Sequence, residues 1–191
     1  VRIGVFGGAF DPPHAGHVAI AEAAINQLQL DKLYIIPTGQ AWHKKRALTA
    51  AQHRVAMAKL AFTHPAIQVD EQEVWREGPS YTFNTLTALR RLHPDASWYL
   101  IIGADQARAF TTWHRWQELL QLAIICVVSR DALHPDWNLP AAQHLLLQLP
   151  LMPFSSTQIR QAIASNHPIN ALVPTAVMRY IDEHHLYRSD E

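Results

Sequence analysis

Short runs of consecutive apolar residues alternate along the chain with stretches whose apolar positions recur every three or four residues. Arg2–Phe6, Lys32–Ile36, Trp98–Ile102 and Ala123–Val128 are strand-length runs, closed in turn by Gly7-Gly8, Pro37, Gly103 and a polar segment. Continuous apolar runs of this length suit strands buried on both faces. Ile67–Val69 opens a third candidate running toward Val74, and Leu145–Leu149 is a weaker sixth. Between them, Gly16–Leu28 carries apolar residues at 18, 20, 21, 24, 25 and 28, and Thr49–Phe62 carries them at 51, 55, 56, 58, 60 and 62. Thr82–Leu92 and Arg115–Leu122 read the same way. Strand–helix alternation predicts a mostly parallel sheet covered on both faces, a doubly wound α/β arrangement with ligands at the carboxyl ends of the strands.

The last third changes character. Ser155 followed by Gln158 reads as a capping box opening a helix over Ser155–Ser165. Pro174 suits the first position of a helix over Pro174–His185. The expectation is one domain over residues 1–191, with an α/β core over about 1–150 and a small helical appendage over about 151–191. Residues 131–144 read as an irregular connection.

Composition narrows the function. Sixteen Lys+Arg balance sixteen Asp+Glu in 191 residues, which argues against a nucleic-acid-coating protein. One cysteine excludes an internal disulfide and any multi-cysteine zinc site. No apolar run reaches the ~18 residues of a membrane span. The expectation is a cytoplasmic protein without nucleic-acid or membrane partners. Oligomeric state stays open, a homo-oligomer included.

The strongest chemical signal is G-G-A-F-D-P-P-H-A-G-H, from Gly7 to His17, between a predicted strand and a predicted helix. Glycines let backbone approach a ligand, and a helix N-terminus offers amides to anions. The string is neither the G-x-G-x-x-G fingerprint nor a Walker A loop. His14 and His17, three residues apart, fall on one side of the first helical turn. Two imidazoles over an anion site are suited to phosphoryl or nucleotidyl transfer, where positioning and charge stabilisation dominate. The bland alternatives are two surface histidines on a turn, or a zinc pair, which lacks a third ligand of clear spacing.

The string resembles the signature of the nucleotidylyltransferase superfamily, Rossmann-like relatives of class I aminoacyl-tRNA synthetases. Phe154-Ser155-Ser156-Thr157-Gln158-Ile159-Arg160 resembles that superfamily's I-S-S-T-x-I-R segment. Gly78-Pro79-Ser80-Tyr81-Thr82, with Thr85-Leu86, resembles the S-Y-T-x-x-T-L segment of bacterial nicotinate-nucleotide adenylyltransferases. Gly103-Ala104-Asp105 and Thr112-Trp113 fall where that family has G-x-D and its nicotinate-facing tryptophan. Two positions depart. Ala41-Trp42-His43-Lys44 stands where P-P-H-K is frequent, with Lys44 kept beside Lys45 and Arg46. Asn84 stands where many members have Asp.

The resemblance implies adenylyl transfer from ATP to nicotinate mononucleotide, with release of pyrophosphate, in NAD biosynthesis. It implies His14, His17 and Arg160 as catalytic residues. Gly7, Gly8, Ala9, Phe10, His14, His17, Ser155, Ser156, Thr157 and Arg160 would bind ATP. Lys44, Ser80, Tyr81, Thr82, Gly103, Asp105, Trp113 and His114 would bind the acceptor. Mg²⁺ would arrive with ATP, with no dedicated protein ligands. Some of these residues have ordinary explanations too. Helix capping accounts for Ser155–Thr157, an N-cap accounts for Asp105, and a core position accounts for Trp113. Trp116 and Cys126 read as core, and His184 and His185 as surface. Alternative functions are a related adenylyltransferase acting on nicotinamide mononucleotide or phosphopantetheine, and a non-catalytic nucleotide-binding regulator.

Overall fold

A computed structural model describes residues 1–39, 47–129, 137, 139, 144–148, 155–169 and 171–188. Lys44 and its neighbours 41–46, Phe154 and most of the connection at 131–144 lie outside the described residues. Among the described residues, six strands form one sheet: β1 (Arg2–Gly8), β2 (Lys32–Pro37), β3 (Ile67–Val69), β4 (Ser97–Gly103), β5 (Ile124–Ser129) and β6 (His144–Gln148). Their order is β3-β2-β1-β4-β5-β6, and all five pairings are parallel. This is the doubly wound order, which reverses between β1 and β4 and opens a ligand crevice at their carboxyl ends.

The helices are α1 (Ala15–Leu28), α2 (Ala51–Ala61), α3 (Gln72–Trp75), α4 (Thr82–Leu92), α5 (Ala104–Ala109), α6 (Trp116–Leu122), α7 (Ser156–Ala164) and α8 (Thr175–Glu183). A 3₁₀ turn, Phe110–Thr112, links α5 to the loop before α6. The third strand does not run toward Val74. It ends at Val69, and Asp70 accepts the Gln72 amide at 3.1 Å to start α3. Polar alternation there came from a strand end and a one-turn helix in succession.

Strand periodicity splits the core cleanly. Ile3, Val5, Trp98, Leu100, Ile102, Ile125 and Val127 face α4, α5 and α6, with Leu86, Leu89, Phe110 and Leu119. Phe6, Tyr99, Ile101, Cys126 and Leu147 face the other side, with Ala21, Ala24 and Ile25 of α1 and Met57 and Ala58 of α2. Ile159 of α7 and Val177 and Ile181 of α8 belong to this second cluster. The C-terminal helices therefore complete one face of the sheet. Among the described residues, no helix is long and apolar enough to cross a membrane.

Candidate active site

β1 leads at Gly8 into a tight loop, Ala9–Pro13, and then into α1. Phe10 takes a left-handed φ of 50°, which costs a non-glycine residue roughly 1–2 kcal/mol. Burial offsets that cost, since its ring packs on Phe6, His17 and Phe62 with centroids 5.1 to 5.6 Å apart. A Cβ on Gly8 would come within 3.2 Å of the Phe10 ring, so the glycine makes room for that ring.

His14 is the N-cap of α1. Its Nδ1 accepts the Gly16 amide at 3.0 Å, and Nδ1 of His17 accepts the His14 amide at 3.1 Å. The two rings stack with centroids 3.8 Å apart. A capping box built from two histidines fixes both tautomers, because a backbone N–H can only donate. Each ring keeps its Nε2–H as its own donor. Burial pushes His14 down to about 4. It pushes His17 well below the ordinary histidine value as well, with the nearby His14 adding to the effect. Both rings are thus neutral near pH 7. His14 is only 8% exposed, so the pair is not two surface histidines on a turn.

One expectation is corrected here. The amides opening α1 do not form a free anion hole. Ala15 donates to the Leu172 carbonyl at 2.9 Å, Gly16 to His14, and the third helical amide to the same His14 side chain. The protein takes these amides itself.

The loop is clamped from the C-terminal third. Arg160 Nη1 donates to the Asp11 carbonyl at 2.8 Å, and its Nη2 donates to Thr157 Oγ1 at 3.1 Å. The Ser156 hydroxyl donates to the Pro12 carbonyl at 2.9 Å. Ser155 caps α7 by accepting the Gln158 amide at 3.2 Å, in the predicted capping box. Asp11 is 1% exposed. Its carboxylate accepts the Thr49 amide at 3.0 Å and a short hydrogen bond from the Tyr187 hydroxyl. Burial and that carboxylate push the Tyr187 phenol far above its usual value.

The other cluster forms at the N-terminus of α4. This helix runs back against β4, which places its start at the carboxyl edge. Tyr81 is the N-cap, and its side chain caps nothing. Its ring stacks on His114 at 4.4 Å and 29°, so the S-Y-T and T-W-H segments meet. Trp113 is half-buried and leans on Phe110 at 5.2 Å. Ser80 donates to the Glu73 carbonyl at 3.4 Å. Asp105 is exposed and paired with Arg108. It is not an N-cap; Gly103 is, and its amide donates to Gln106 Oε1 at 3.0 Å. Asn84 is exposed on α4.

Sequence reasoning missed three supports. Arg54, 2% exposed, lies on the apolar stripe of α2, and a charge on such a stripe was the available signal. Glu73 accepts the Thr85 hydroxyl at 2.7 Å, while Arg76 donates to Thr85 at 3.3 Å, tying α3 to α4. Burial raises the Glu73 carboxyl. Tyr187 lies far from Asp11 in sequence, and no local pattern points to it. Among the described residues, no cluster of three His, Cys, Asp or Glu side chains could hold a metal.

A parallel sheet reversing between β1 and β4, with a paired-histidine turn at that reversal, defines a nucleotidylyltransferase-type protein. The cytidylyltransferase-like family model matches residues 5–162. A protein of Albidiferax ferrireducens named "Probable nicotinate-nucleotide adenylyltransferase" is 48% identical over 195 residues, covering 98% of each chain. One of the same name from Methylibium petroleiphilum is 44% identical, covering 97% of this chain and 92% of its own. The Plasmodium falciparum nicotinic acid mononucleotide adenylyltransferase complexed with NaAD shares the fold, with a TM-score of 0.77 at 19% identity and 97% of each chain covered. This chain belongs to the nicotinate-nucleotide adenylyltransferase family of cytidylyltransferase-like proteins.

Proposed function

We propose that the chain transfers the adenylyl group of ATP to nicotinate mononucleotide, giving nicotinate adenine dinucleotide and pyrophosphate, a step of NAD biosynthesis. The observation that carries the site assignment is the stacked His14–His17 capping box, which turns both Nδ1 atoms onto backbone amides and fixes the Nε2–H tautomer of both rings at the switch point. A 5′-phosphate oxygen of the mononucleotide attacks the α-phosphorus of ATP. The bond to the bridging oxygen breaks, and its electron pair leaves with pyrophosphate. The phosphate is already ionised near neutral pH, so no general base is needed.

His17 and His14 donate to the α/β-phosphate oxygens as charge moves onto the leaving group. Arg160 and Ser155–Thr157 serve the β/γ-phosphates while holding the Asp11–Pro12 loop in place. Gly7, Gly8, Ala9 and Phe10 line the approach to ATP, and Mg²⁺ comes with the ATP. Lys44 adds positive charge for the acceptor phosphate.

The acceptor ring lies by Trp113, Tyr81 and His114. The start of α4 has no acidic residue in its first turn and no side-chain cap, so the amide at Thr82 suits the nicotinate carboxylate. Ser80, Gly103 and Asp105 border the same edge, with Asp105 reaching ribose hydroxyls on release from Arg108. The single cysteine, Cys126, is buried in β5, in keeping with a cytoplasmic setting. The test is pyrophosphate release with ATP and each of nicotinate mononucleotide, nicotinamide mononucleotide and phosphopantetheine. Release only with phosphopantetheine, or with none, overturns the reading.

A further inference from the structure

Arg54 reaches from α2 to the loops that follow β1 and β2. Its Nη1 donates to the Ala9 carbonyl at 3.2 Å and the Thr38 carbonyl at 2.5 Å. Its Nε donates to the Thr49 carbonyl at 2.7 Å, and Nη2 lies 3.5 Å from the Gly39 carbonyl. A planar guanidinium thus gathers backbone oxygens from two neighbouring strand ends and from the start of α2.

The consequence lies on the other side of each peptide. The Ala9–Phe10 and Thr38–Gly39 bonds are trans. In a trans peptide, C=O and N–H point in opposite directions. Turning the Ala9 and Thr38 oxygens onto Arg54 turns the Phe10 and Gly39 amides away from it. Neither amide has a hydrogen-bond partner among the described residues, although both residues are buried. Buried amides are rarely left unpaired. Gly39 is tightly placed as well, since a Cβ there would lie 2.2 Å from the Glu73 carbonyl oxygen. The β2 loop is fixed from one side by Arg54 and from the other by α3.

We propose that Arg54 is a positioning residue that, by pinning the Ala9 and Thr38 carbonyls, aims the Phe10 and Gly39 amides as a paired anion cradle for phosphate oxygens at the carboxyl ends of β1 and β2. The proposal rests on the adenylyltransferase reading for its physiological ligand, but the cradle can be probed without turnover. Arg54 touches no substrate. It acts through the direction of two peptide planes, which a lysine of equal charge cannot fix because it lacks the planar fork.

The test is a ¹⁵N-resolved NMR titration of the full chain with inorganic pyrophosphate, alongside steady-state kinetics of Arg54→Lys. The Phe10 and Gly39 amide protons should move downfield together in the unsubstituted protein. In Arg54→Lys the pyrophosphate Kd should rise about tenfold or more, the scale of a misaligned hydrogen bond to a charged group. Its KM for ATP should rise in parallel, while discrimination between the two mononucleotides stays unchanged. Amides that do not respond to pyrophosphate in the unsubstituted protein overturn the cradle, whether or not the variant folds. A folded Arg54→Lys with an unaltered pyrophosphate Kd overturns the role of Arg54. Loss of nicotinate mononucleotide turnover in the unsubstituted enzyme would count against the reaction, not the cradle.

Discussion

Replacing His14 by Asn keeps the α1 cap and removes the titrating ring. The Asn side-chain oxygen can accept the Gly16 amide as Nδ1 of His14 does. In the folded protein burial holds His14 down to about 4, against an ordinary value of 6.5. Above pH 6.5 the ring is neutral in both folded and unfolded chains, and pH has no leverage through it. As pH falls below 6.5 the unfolded chain binds a proton that the folded chain refuses, so stability declines until about pH 4, where both forms are charged. Linkage over that interval gives about 2 kcal/mol lost by pH 5 and about 3 kcal/mol in all from this one ring. His17 is depressed for the same reason and adds in the same direction. Urea unfolding at pH 7 and pH 5 should therefore show a fall in stability that is smaller in His14→Asn by about 2 kcal/mol, with unchanged m. Other histidines are common to both proteins and cancel, except His17, whose smaller depression without the neighbouring His14 ring reduces the fall further in the same direction. Equal pH dependence in the two would refute a buried, neutral His14.

His17→Ala should lower kcat by about 10²–10³ with a cooperatively folded chain, the usual cost of a lost transition-state donor; near-normal kcat in a folded variant would remove His17 from the chemistry. Trp113→Ala should raise KM for both mononucleotides and leave KM for ATP in place; a rise confined to ATP would put Trp113 elsewhere. The enzyme should favour nicotinate over nicotinamide mononucleotide by at least ~10² in kcat/KM, because an amide NH₂ would face the donors at the start of α4. Steady-state assays at fixed ATP decide that point, and comparable efficiencies would refute it.

The sheet was legible because its signals are local. Ile3, Val5 and Phe6, and the run Trp98–Ile102, place strands wherever they fall, and the parallel order follows from helices between them. What escaped were short elements. α3 and α5 span four and six residues, too few to show a helical period. The Ile67–Val74 segment accordingly read as one strand, when Asp70 ends the strand and opens α3.

The site divides along the same line. His14, His17, Tyr81 and His114 lie in contiguous motifs whose residue types announce their chemistry. The parts that give the histidines their properties are dispersed. Asp11 is held by Thr49, Tyr187 and, through its carbonyl, Arg160. Pro12 is held by Ser156, and Ala15 by the Leu172 carbonyl. Four of those five partners come from the last 36 residues, which the sequence read as an appendage. Their helices carry Ile159, Val177 and Ile181 into the same core as β1 and α1. A loop this short cannot bury its own backbone oxygens, so it must borrow donors from whatever packs beside it. Folding the C-terminal helices onto the sheet supplies those donors, and the same contacts set where the two imidazoles stand. Stability of that packing and geometry of the histidine pair are therefore one property of this chain, and a substitution that loosens α7 reaches His14 without touching it.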